Sequence, residues 1–117
     1  MAAIIESPRT FQVWLYTVSH AQLLLRANPA PEDGERIEVL FKDVHSMSLD
    51  TLLRGLTIRE EPGGGGPSGR GGLRTFVVES ADSRGRVVAG AAFVHRDRES
   101  YDAPSGFAHS LPANRSA

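Results

Sequence analysis

From Thr10 to Ala27 the chain reads TFQVWLYTVSHAQLLLRA, and no other segment restricts its fold more tightly. Its first half alternates. Phe11, Val13, Leu15 and Thr17 fall on one side of an extended chain and Gln12, Trp14, Tyr16 and Val18 on the other, as period-two side-chain geometry requires. A polar Ser19-His20 step follows, then an almost wholly apolar run. The segment from residue 20 to 27 is ambiguous between strand and helix, because Ser19 and Gln22 have capping-box spacing and leucine favours helices. Two turns of helix would be short, and the Asn28-Pro-Ala-Pro-Glu-Asp-Gly34 stretch reads as a hairpin connection, so a strand is expected.

Glu35 to Lys42 alternates most clearly. Ile37, Val39 and Phe41 form an apolar face and are expected in the core, while Arg36, Glu38 and Lys42 face outward. Val44 to Met47 extends the sheet. Ser48 to Arg54, ending before Gly55, has the form of a capped single helical turn near residues 48–54. Leu56 to Glu60 alternates again. Leu73 to Ala81 and Arg86 to Arg96 make a hairpin around Asp82 to Gly85, with Gly85 free to take a positive φ.

These elements predict an all-β domain over residues 1–98, a small antiparallel β-sandwich or partly open barrel of about seven strands. The Gly-rich stretch 62–72 is expected to be a flexible loop. Residues 99–117 read as a flexible tail with Tyr101, Phe107 and Leu111 as isolated apolar anchors. At 117 residues the chain is one domain's worth.

Charge excludes more than it suggests. Basic and acidic residues are interleaved to a net −1, without the stripe by which nucleic-acid binders neutralise phosphates. Lys42 is the sole lysine among 13 basic residues, a bias typical of a GC-rich bacterial genome. The absence of cysteine removes disulfides, thiolate nucleophiles and Cys-ligated zinc. No stretch has the pattern of a signal peptide or a membrane span, so a cytoplasmic protein with no membrane partner is expected.

The glycines from Gly63 to Gly72 do not form a phosphate loop, which needs a Gly-Lys-Ser/Thr step between strand and helix. Asp43 with His45, and His95 with Asp97, have the spacing at which an extended chain sets an imidazole beside a carboxylate, the arrangement of an acid–base pair. Solvated strand ends produce the same pattern. His20, His45 and His95 lack metal-ligand spacing, and Ser19 beside His20 has neither elbow nor oxyanion hole. Trp14 and Tyr16 are the strongest candidates for partner contact, being large and partly polar on one side of one strand.

The function expected from this pattern is a non-catalytic protein-binding or regulatory β-domain of immunity type, without cofactor, that meets a protein partner or itself. The alternatives are a small-molecule-binding or hydrolytic barrel using His20, His45 or His95 with Asp43 or Asp97, and a structural homo-oligomer built on edge strands.

Overall fold

The computed structural model describes residues 3–28, 34–62, 72–100 and 103–107. Its strands are β1 (Ala3–Thr17), β2 (Gln22–Ala27), β3 (Arg36–Lys42), β4 (Ser46–Ser48), β5 (Leu52–Glu60), β6 (Arg74–Glu79), β7 (Arg84–Ala89) and β8 (Ala91–Asp97). They form one antiparallel sheet in the order β4-β7-β6-β5-β1-β2-β3-β8. The class is all-β, as expected. Among the described residues there are eight strands, close to the seven expected, and they share one sheet rather than the two of a sandwich.

The sheet is not closed into a barrel, for its edge strands β4 and β8 do not pair with each other. It is nevertheless rolled around one core. Phe41 of β3 and Phe76 of β6 have three strands between them in the sheet order, yet their ring centroids are 5.5 Å apart in an edge-on contact. Ile37, Val39 and Phe41 are all buried here with Phe11, Leu23, Leu25, Leu53, Ile58 and Val87. Two corners produce the roll. Between β3 and β4 Asp43 takes a positive φ of 56°, and between β7 and β8 the Gly90 N–H donates to the carbonyls of Lys42 and Asp43.

The helical turn expected near residues 48–54 does not form. β4 and β5 run through that stretch, and Leu53 is drawn into the core opposite Phe11. Burial of Leu53 outweighs the weak local preference of a single turn. The one helical turn among the described residues is Val18–His20, closed by Ala21 in the left-handed region, and the segment after it is the strand β2.

Gly85 serves close approach rather than turn geometry. It lies inside β7, where a Cβ would fall 1.9 Å from the Ser48 carbonyl oxygen, and the hairpin turn itself is tied by Ser80 and Ser83. Of the expected loop 62–72 only its end residues are described, and residues 101–102 and 108–117 lie outside the described residues.

Candidate functional site

β1 is long because it serves two neighbours. Its first part pairs with β5 and its second with β2, and the register slips between Val13 and Leu15. That slip is a bulge at Trp14, and a bulge re-aims everything beyond it. Val13 stands opposite the core residue Leu25, whereas Leu15 stands opposite Leu24, which belongs to a second apolar cluster on the outer face with Leu40 and Phe107. Tyr16 in turn pairs with the core residue Leu23, at the turn end of the roll. Trp14 and Tyr16 therefore do not share a face as simple alternation implies. Both are partly open to solvent, Trp14 at 39 %.

Trp14 is pinned from below. The Arg26 guanidinium lies 4.3 Å from its ring centre, a cation–π distance, and the same guanidinium donates through Nε and Nη2 to Glu38 Oε2 at 3.0 and 2.8 Å. Arg26 and Glu38 are directly opposed across β2 and β3 and are buried at 3 % and 0 % exposure. Beside the tryptophan a shallow groove of ≈ 330 Å³ is lined by Arg9, Thr10, Gln12, Arg26, Asn28 and the exposed Leu52.

The segment after β8 returns across the outer face of β2, β3 and β8. Arg36, fully buried, donates from Nε and Nη2 to Asp97 at 2.9 and 2.8 Å. Its remaining donors go to the backbone carbonyls of Ser100, Ala103 and Pro104. All five N–H groups of a guanidinium are thereby used. Glu38 Oε1 accepts from Ser105 Oγ at 3.0 Å and from the Gly106 N–H at 2.8 Å. Phe107 meets the His95 ring edge-on at 5.7 Å and covers Leu24 and Leu40. Arg36 and Glu38 thus lie on the outward face of β3, as its alternation predicts, but they are buried, with the apolar Leu40 beside them. Within the expected tail, Ala103 to Phe107 are seated on the sheet.

The two His–Asp pairs form at separate places. His95 Nε2 is 3.1 Å from Asp97 Oδ2 on β8, under the returning segment. His45 Nε2 is 3.7 Å from Asp43 Oδ1 at the exposed β3–β4 corner. His20 lies in the exposed turn after β1, with Nδ1 3.1 Å from Ser19 Oγ. Among the described residues no three His, Asp or Glu side chains are grouped so as to hold a metal ion. Asp97 is held below the usual carboxylate range, first by its hydrogen bonds from Arg36, and Arg36 is raised by the same contact. Asp97 thus serves as a fixed counter-ion to Arg36.

The outer face of β5, β6 and β7 is a lattice of exposed ion pairs, including Arg59–Glu79, Arg74–Glu60 and Arg86–Glu61. The Arg74 contact lowers the pKa of Glu60 and raises that of Arg74. Such exposed pairs stabilise little individually.

Sequence reasoning passes over Arg26, Arg36, Glu38, Ser105 and Gly106. One signal was present: pairing Leu25 with Val39 in a hairpin sets Arg26 opposite Glu38, a cross-strand opposite-charge pair. No protein-family model, curated protein or solved structure matches this chain. Among the described residues no helix is long and apolar enough to cross a membrane.

Proposed function

We propose that this chain is a non-catalytic protein-binding domain of regulatory or immunity type, whose contact surface is centred on Trp14 and the adjoining groove. One observation carries the reading. Trp14 is the sole tryptophan, partly exposed, yet clamped on a buried arginine that is itself fixed by a carboxylate. An aromatic held in one position loses little entropy on binding, which is the character of an interface hot spot. Leu52 and Gln12, paired across β5 and β1, extend the surface with an apolar and a polar contact. Tyr16 faces the other way and is given no part in it.

A photo-crosslinking residue at Thr10 tests this in the source cell. Discrete protein adducts that vanish when Trp14 is also replaced by serine are the expected result, and absence of any adduct would overturn the reading. A second reading, self-association, is supported by β8. Among the described residues this strand pairs on one side only and exposes Phe93 and Val94. Adducts of twice the chain mass would decide for it.

A further inference from the structure

We infer that the outer face of β2, β3 and β8 is a peptide-recognition site for segments of the type Ala-Pro-Ser-Gly-aromatic, occupied in the folded chain by its own Ala103–Phe107. The site is distinct from the Trp14 groove, although Glu38 supports both. Its recognition is directed at main chain. Arg36 donates to the backbone carbonyls of Ala103 and Pro104 and Glu38 accepts the Gly106 N–H, and both side chains are fully buried. Main-chain recognition of this kind holds the bent segment in one position and leaves selectivity to a few side chains.

Those positions can be read from the contacts. Pro104 offers its carbonyl to Arg36 and has no N–H that would need an acceptor. Ser105 supplies the hydroxyl that bonds Glu38. At position 106 glycine lets the backbone lie against His95, since a Cβ there would fall 2.1 Å from His95 Cδ2 and force the ring out of its place. Phe107 fills the seat made by His95, Leu24 and Leu40, and an aromatic side chain suits it. The ligand class is thus a loop or terminal segment of a partner carrying Pro-Ser-Gly-aromatic. The tethered copy competes at an effective concentration of about millimolar order, so the site opens to an outside segment only when its own is displaced.

The experiment uses the full chain and the blocked pentapeptide Ala-Pro-Ser-Gly-Phe, followed by amide chemical shifts of Glu38 and His95. Phe107→Ser and, separately, Gly106→Val should release the tethered segment. The released variants should bind the peptide at least about tenfold more tightly than the native chain, and adding Glu38→Gln should reverse the gain. Folded variants that show no saturable shift, or that bind no better than the native chain, would overturn the inference. So would global unfolding of both variants, because the segment would then be part of the core rather than a separable ligand.

Discussion

Glu38 faces Arg26 across the β2–β3 ladder, and one of its carboxylate oxygens takes two hydrogen bonds from that guanidinium with both side chains buried. A pair in this situation is asymmetric in its energetics. Forming it gains little over a well-packed apolar pair, whereas removing one member leaves an uncompensated buried charge.

Glu38→Ala or Arg26→Ala should accordingly destabilise the fold by about 3–5 kcal/mol. The double replacement Arg26→Met with Glu38→Leu should be milder than the sum of the single changes. Chemical denaturation of the four proteins measures this as a double-mutant cycle, and additive losses would show that the two charges are not coupled.

Phe41→Ala should cost about 3–5 kcal/mol, because the ring is fully buried and its removal leaves a cavity against Phe76. A shift in the urea midpoint equivalent to less than about 1 kcal/mol would place Phe41 outside the core.

These two sites differ in how far the sequence reveals them. Phe41 is legible because Ile37, Val39 and Phe41 share one wholly apolar face that must turn inward, while Arg36, Glu38 and Lys42, interrupted by Leu40, take the other. The burial of Arg36 and Glu38 is not legible, since it depends on a return of the chain some 67 positions later. The exchange of faces beyond Trp14 is hidden for a different reason. A bulge adds one residue to a ladder without changing the composition of the strand, and only the pairing with Leu24 and Leu23 reveals it. Leu53 shows the same limit, for a short segment with helical preference becomes strand once a neighbouring strand offers Phe11 to pack against.

Acid should weaken the seating of the returning segment. Arg36 lowers the pKa of Asp97 in the folded protein, so the unfolded chain takes up this proton first as the pH falls. The stabilisation is complete above the ordinary aspartate range of about 4 and is lost as pH drops through the lowered folded value. Asp97→Asn should be less stable at neutral pH and should show a flatter dependence of urea midpoint on pH over roughly pH 2–5. An unchanged slope would mean that the Arg36–Asp97 contact does not contribute to the acid dependence.

Trp14 is the only tryptophan, so intrinsic fluorescence reports on the proposed contact surface without labelling. The paired replacement Arg26→Met with Glu38→Leu removes the cation over the ring without leaving a buried charge unmatched, and the emission intensity should change while the circular dichroism stays that of the native chain. Partner binding should reduce acrylamide quenching of the same residue. Serine at position 14 should weaken the complex by at least about 2 kcal/mol. Equal quenching in the free and bound states would exclude Trp14 from the interface.

The covering of β3 by Ala103–Phe107 also bears on the order in which the chain is made. Arg36 and Glu38 leave the ribosome well before Ser105 and Gly106, which lie 67 and 68 residues beyond Glu38. During that interval their outer face has no cover, and an apolar surface of the same extent would invite a neighbouring nascent chain to adhere. The charges of Arg36 and Glu38, set beside Leu24 and Leu40, oppose such adhesion on the unfinished sheet. When the later residues arrive, the same charges become the donors and acceptors that hold them, so one pair of side chains guards the sheet during synthesis and fastens it afterwards.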